Sequence, residues 1–203
     1  MSTPLLYLAS RSPRRRELLH QINVGFIVLP FRSSVRADAD VSEDVLEDES
    51  PEDYVVRVAR AKAAGGMARM GWRSMVALPV LAADTTVELD GRIYGKPADA
   101  ADATAMLKAF SGRWHRVLTA VAMARGDRME HHLNISEVKF TALDERDIAR
   151  YVASGEPMDK AGAYGIQGRA GLFVEQVIGS YTGIVGLPLF ETGRLLRSFG
   201  LDI

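Results

Sequence analysis

The apolar positions of this chain change period at one corner near its start, and the rest of the pattern is read from there. Leu5 to Ala9 form an almost unbroken apolar run, the pattern of a short strand covered on both faces. From Arg14 onward the apolar positions fall at Leu18, Leu19 and Ile22, which is helical spacing. Ser10, Ser12 and Pro13 lie between, with Ser12 at an N-cap position and Pro13 at the first helical one. Val24 to Phe31 reads as a second strand ended near Pro30. Arg32 to Asp53 is then poor in apolar residues and rich in Asp, Glu and Ser, as in a solvated acidic loop. Ser50-Pro51-Glu52-Asp53 is a helix start, and the helix predicted to about Met70 puts Tyr54, Val55, Val58, Ala59 and Ala63 on one face, with Lys62 beside that stripe.

The second half alternates the two periods. Pro79 to Ala83 is an apolar strand predicted to end in Asp84-Thr85-Thr86, with Thr85 to Leu89 continuing extended. Asp90-Gly91 is a hairpin turn, and Arg92 to Tyr94 returns to deliver Gly95-Lys96-Pro97 near Asp84. A helix from Asp99 or Asp102 to Phe110 stops at Ser111-Gly112. Arg113 to Ala124 and Leu133 to Thr141 form a strand pair turned at Gly126-Asp127. Asp144 to Ser154 is amphipathic with Ile148, Tyr151 and Val152 inward. Four glycines then fall within Gly155 to Gly168, threaded with Glu156, Asp159, Lys160 and Gln167, which reads as a binding loop. Leu172 to Ile178 is a strand, Gly179 to Gly183 a second glycine-bearing loop, and Gly186-Leu187-Pro188 opens a last helix to about Phe199. Strands interleave with helices while two segments pair as hairpins, so the predicted fold is α/β with a mixed twisted sheet and flanking helices. With no linker or internal repeat, residues 1–203 are expected to form one domain.

Composition narrows the chemistry. A net charge of −1 gives no global basic field for nucleic acid, so an anion site must be local. With no cysteine, disulfides, thiolate zinc sites and a cysteine nucleophile are excluded. No apolar run reaches membrane-spanning length, and a cytoplasmic protein is expected. The histidines and acids show no zinc-site spacing; His115 reads as a structural residue, and His131-His132 as surface residues near a turn.

What remains converges on phosphate. The first corner offers a helix N-terminus, the hydroxyls of Ser10 and Ser12, and Arg14 and Arg15, a set suited to polyanions. Asp84 is a carboxylate placed by a strand, Lys62 and Lys96 are two further cations, and the glycine-rich loop closes the list. Such a set suits a metal ion and a water attacking a polyphosphate, one carboxylate holding metal or taking the water's proton.

The motifs Leu8-Ala9-Ser10-x-Ser12-Pro13-Arg14-Arg15-x-Glu17-Leu18-Leu19, Ala82-Ala83-Asp84-Thr85 and Gly95-Lys96-Pro97-x-Asp99 resemble the Maf family of nucleotide pyrophosphatases. So do Ser111-Gly112-x-x-His115-x-Val117-x-Thr119, Asp159 to Gly168, and Gly179-Ser180-Tyr181 with Val185 to Leu189. The resemblance implies two lobes around a cleft, a fold similar to the inosine triphosphate pyrophosphatases, and a homodimer. It implies Mg²⁺- or Mn²⁺-dependent hydrolysis of a nucleoside triphosphate to monophosphate and diphosphate, with Asp84 as proton acceptor and Ser10, Arg14, Arg15, Lys62 and Lys96 on substrate. Members preferring dTTP and UTP look like this chain at Arg14, Thr85 and Gln167. Members acting on 7-methyl-GTP differ at the last two and lack the Ala-Tyr-Gly-Ile-Gln loop. The expectation is therefore house-cleaning of dTTP, UTP and modified pyrimidine triphosphates. The alternatives are a purine-directed enzyme or a non-catalytic nucleotide sensor acting on septum formation. Relatives place an acid soon after the second strand, where Arg32 to Asp40 look like an insertion here. Counting back from Tyr54 puts Glu43 in that place, as metal contact together with Asp84.

Overall fold

The computed structural model describes residues 5–29, 41–72 and 75–203. The predicted mixed sheet is present, with seven strands: β1 (Leu6–Leu8), β2 (Phe26–Val28), β3 (Val80–Leu89), β4 (Arg92–Tyr94), β5 (Trp114–Arg125), β6 (Arg128–Phe140) and β7 (Val174–Ile178). Their order is β2-β1-β3-β5-β6-β7, with β4 also on β3. The pairs β1/β2 and β1/β3 are parallel and the others antiparallel. The helices are α1 (Pro13–Gln21), α2 (Pro51–Trp72), α3 (Ala100–Phe110), α4 (Glu145–Ala153), α5 (Tyr181–Val185) and α6 (Leu189–Ser198). Among the described residues, no helix is long and apolar enough to cross a membrane.

Strand period two sorts the core. Val80 and Ala82 of β3 meet Val55, Val58, Ala59 and Ala63 of α2 on one face of the sheet. Leu81 and Ala83 meet Leu18 and Leu19 of α1 and Leu195 and Leu196 of α6 on the other. Farther along, Val87 and Val117 join Leu107 and Phe110 of α3, Ile148 of α4, Tyr164 and Phe173 in a third cluster. The long strands β3, β5 and β6 run through both halves.

Several boundaries differ from the sequence reading. The second strand is limited to Phe26–Val28, and Pro30, Phe31 and the Arg32 to Asp40 stretch lie outside the described residues. The last sheet strand begins at Val174, because Arg169–Phe173 winds into a 3₁₀ turn. The second glycine-bearing loop contains α5, capped by Ser180, whose hydroxyl accepts the Gly183 amide at 3.0 Å. β6 starts at Arg128 instead of Leu133, so His131 and His132 are half-buried strand residues opposite Ala122 and Val121, away from the turn.

One difference creates the site. Asp84 does not end a strand; it lies in the middle of the ten-residue β3. On one edge of β3 the register pairs Asp84 with Ala120 of β5. On its other edge β1 reaches only Leu81, and β4 begins at Val87. Two short strands thus leave the middle of a long one uncovered, and the sheet opens into a cleft beside Asp84.

Candidate active site

The cleft has a volume of about 840 Å³ and is walled by the β1–α1 corner, α2, the middle of β3, the end of the β3–β4 hairpin and the glycine-rich loop. That volume lies in the range of small-molecule sites. Ser10, Ser12, Arg14, Arg15, Glu43, Lys62, Asp84, Thr85, Lys96, Glu156, Asp159, Lys160 and Gln167 all line it. Every site residue expected from the sequence is therefore in one place, from six separate stretches of chain, the segment carrying Glu43 being the sixth.

Alternation along β3 points Asp84 toward α2 and Thr85 toward α1. On the α2 side, Lys62 Nζ lies 2.8 Å from Asp84 Oδ1 and 2.7 Å from Glu43 Oε1, so one ammonium joins two carboxylates. Asp84 is almost buried, at 8% exposure, and its Oδ2 has no hydrogen-bond partner among the described residues. Burial acts to raise the Glu43 carboxyl, but Lys62, then Lys96 and Arg15, outweigh it and hold the group below its usual range. Lys96, on the exposed turn after β4, has no hydrogen-bond or ion-pair partner among the described residues and points its charge at the same cluster.

On the α1 side the arginines divide their work. Arg15 is fixed by the protein: Nε donates to Gly186 O at 2.7 Å, Nη1 to Ser10 Oγ at 3.2 Å and Nη2 to Thr85 Oγ1 at 3.2 Å. Desolvation lowers its pKa, against the pull of Asp84, yet a guanidinium stays charged. Thr119 Oγ1 lies 3.0 Å from Thr85 Oγ1 and 2.8 Å from Gly183 O. Each hydroxyl has one proton, so the consistent arrangement runs Arg15 to Thr85, Thr85 to Thr119, and Thr119 to the Gly183 carbonyl. Thr85, which the sequence offers as a mark of the dTTP/UTP preference, is here one of three groups that hold Arg15. Arg14 is freer, with only a 3.5 Å contact among the described residues, to the exposed Asp159 across the cleft mouth. Ser12 occupies the N-cap position without capping; its own amide donates to Ser10 Oγ at 3.2 Å. The Arg14 and Arg15 amides thus begin α1 without intrahelical partners, at the positive end of its dipole.

The glycine-rich loop is anchored rather than loose. Lys160 Nζ donates to Glu156 O at 2.6 Å and to Asp159 Oδ1 at 2.7 Å, and Glu156 accepts from Tyr151 Oη at 3.2 Å. The Gly162 amide donates to Gly95 O at 2.9 Å, tying the loop to the turn that carries Lys96. His115, structural as expected, is 2% exposed, stacks on Phe110 and contacts Tyr164 Oη through Nε2 at 2.9 Å. Gln167 is exposed at the rim without a hydrogen-bond partner among the described residues. Sequence reasoning assigned no role to Tyr54 beyond the core, although it lines the cleft and donates from its hydroxyl to Glu43 O at 3.0 Å. The carbonyls of Gly183 and Gly186 were equally invisible, since a backbone acceptor leaves no side-chain signal.

The family model described as Maf-like protein matches residues 5–199. The chain belongs to the Maf-like family. A dTTP/UTP pyrophosphatase of Aromatoleum aromaticum is 61% identical over 199 residues, covering 98% of this chain and 97% of that protein. One of Dechloromonas aromatica is 56% identical over 195 residues, covering 96% and 97%. Among solved structures, the Staphylococcus aureus Ham1 protein aligns over 96% of both chains with a TM-score of 0.48 and 15% identity, too remote to bear on the site. The Maf-like match spans every motif that lines the cleft.

Proposed function

We propose that this Maf-like chain is a nucleoside triphosphate pyrophosphatase hydrolysing dTTP and UTP to the monophosphate and diphosphate. The observation that carries the reading is the near-buried Asp84 carboxylate, held by Lys62 in a cleft that also presents Arg14, Arg15 and Lys96. The relatives at 61% and 56% identity, both named dTTP/UTP pyrophosphatases, support the same substrates. A non-catalytic sensor has no use for such a carboxylate, which would only repel a bound triphosphate.

The residues of the cleft suit a divalent cation. Glu43 and Asp84 already converge on one positive centre, Lys62 Nζ. Among the described residues no group of three or more His, Cys, Asp or Glu gathers to hold a metal. Two protein carboxylates supplemented by substrate phosphates is the donor set Mg²⁺ and Mn²⁺ accept. Such an ion, held by Glu43 and Asp84, would neutralise phosphate charge as the anhydride breaks.

Within that reading the chain's own groups divide the reaction. Arg14, Lys96 and the first amides of α1 grip phosphate oxygens, while Arg15 supplies a fixed charge behind them. Asp84 accepts a proton from water as the water oxygen bonds to phosphorus, and the bridging P–O bond breaks with its electron pair leaving on diphosphate. Gln167 at the rim reads the pyrimidine edge, and the apolar wall of Val87, Val117 and Ile184 receives the nucleoside. The homodimer and cytoplasmic location implied above belong to the same proposal.

Pyrophosphate release by the purified chain with Mg²⁺ or Mn²⁺ tests it, using dTTP, UTP, CTP, GTP, ATP and 7-methyl-GTP. Release from dTTP and UTP with the matching monophosphates is expected. Release of inorganic phosphate overturns the cleavage position, and preference for a purine overturns the branch.

A further inference from the structure

Three consecutive backbone carbonyls of the segment carrying Glu43 are gripped from one helix. Arg57 of α2 donates from Nη1 to Ser42 O at 3.2 Å and from Nη2 to Asp44 O at 2.8 Å. Tyr54, one turn earlier, donates from its hydroxyl to the carbonyl between them, Glu43 O, at 3.0 Å. The same guanidinium takes Glu49 at both oxygens, Nε to Oε1 at 2.6 Å and Nη2 to Oε2 at 2.8 Å. Glu49 in turn accepts the Leu46 amide at 3.1 Å, so the fork secures the segment at both ends.

The segment from 41 to 50 has no helix or strand of its own, and the Glu43 side chain is 57% exposed. Without the grip, an exposed glutamate on irregular chain would spread over many positions at an entropic cost to any one of them. The grip is unlike an ordinary surface ion pair, whose contribution is small. The Glu49 side chain is only 7% exposed, the pairing is bidentate, and a rigid guanidinium can serve all these acceptors at once where an ammonium cannot. Tyr54 and Lys62 stand eight residues apart on α2, roughly two turns. One holds the Glu43 backbone, and the other meets its carboxylate at 2.7 Å.

We propose that Arg57, braced by Glu49 and Tyr54, is the positioning residue that aims Glu43 at the Lys62–Asp84 pair and thereby sets turnover. The inference rests on the reading of Glu43 as part of the reaction site. Arg57 is not needed to start α2, because the Ser50 hydroxyl accepts the Asp53 amide at 3.1 Å there, so variants at 57 should fold.

The test compares Arg57→Met, Arg57→Lys and Glu43→Gln with the parent chain in two readouts. One is kcat and KM for dTTP with Mg²⁺; the other is hydrogen exchange of the Leu46 amide in the nucleotide-free protein. Both Arg57 variants are expected to expose Leu46 to faster exchange and to lower kcat, about a hundredfold for Arg57→Met, with a smaller change in KM. Arg57→Lys keeps the charge but not the fork, and should recover only part of kcat. Unchanged exchange and kcat in Arg57→Met, with Glu43→Gln inactive, overturns the latch and leaves the pyrophosphatase reading standing. Full activity in Glu43→Gln instead removes Glu43 from the reaction, and the positioning role of Arg57 falls with it. If the parent chain releases no pyrophosphate, the enzyme reading has failed, and Leu46 exchange alone still decides whether the latch exists.

Discussion

Lys62 Nζ sits 2.8 Å from Asp84 Oδ1, and this pair joins the longest helix to the uncovered middle of β3. Both partners are largely covered, at 18% and 12% side-chain exposure, so the contact is screened far less than a surface pair. Glu43 on the same ammonium makes the cluster a cation between two anions. Removing the charge of Asp84 therefore leaves Lys62 with a partner and strands no buried cation.

Asp84→Asn follows from that arrangement. The amide oxygen still accepts from Lys62, so thermal stability should stay close to that of the parent. A proton acceptor is lost, and kcat for dTTP should fall about a thousandfold. Steady-state kinetics beside a thermal melt reads both, and retained turnover removes Asp84 as the base.

Lys96→Ala should act on binding. Lys96 has no protein partner among the described residues, so its loss leaves no unsatisfied group behind. Losing one charge-assisted contact to phosphate should raise KM about tenfold and change kcat less. An unchanged KM refutes that role.

How far the site was legible depends on the kind of signal each part leaves. The β1–α1 corner was plain because the apolar period changes from continuous to helical across Ser10 to Pro13. The helix start at Asp144 was plain from its amphipathic pattern, whereas that of α3 was legible only as Asp99 or Asp102. Its cap is Asp99, and both Asp99 and Asp144 accept an amide three residues on. The position of Asp84 was not, because a cleft beside a mid-strand residue depends on how far β1 and β4 extend, a non-local property. Thr85 was recognised as important without its contact, since that needs Arg15 and Thr119 brought from 70 and 34 residues away. The Arg57 grip left no trace, since half of its bonds go to backbone carbonyls and the other half to Glu49 across an irregular segment.

His115 predicts a pH dependence of stability. Burial pushes its imidazole down to about 4, against a smaller upward pull from the Arg113 backbone. Unfolded, it titrates near its ordinary value of about 6.5. Between those values the unfolded chain takes up a proton that the folded chain refuses, so stability is full above the window and falls as pH drops through it. The loss across the window is about 3 kcal/mol. Urea unfolding at about pH 7 and about pH 4.5 should show that slope in the parent and not in His115→Gln. Equal slopes would mean that His115 does not stay neutral.

Gly162 separates strain from crowding. Its φ is +68°, and a Cβ there would lie 2.6 Å from Val87 Cγ2 inside the packed core. Gly91 in the β3–β4 turn has φ +80° with nothing within 4 Å of its Cβ position. Gly91→Ala therefore meets backbone strain alone and should cost about 1 kcal/mol. Gly162→Ala meets the same strain and also displaces Val87, for a total of about 2–4 kcal/mol. The Gly162 amide holds Gly95 O at 2.9 Å, so the displaced loop carries the Lys96 turn with it. Gly162→Ala should thus raise KM for dTTP as well as lower the melting temperature, whereas Gly91→Ala lowers the melting temperature only. Equal effects of the two substitutions on KM would break the proposed link between the glycine-rich loop and Lys96.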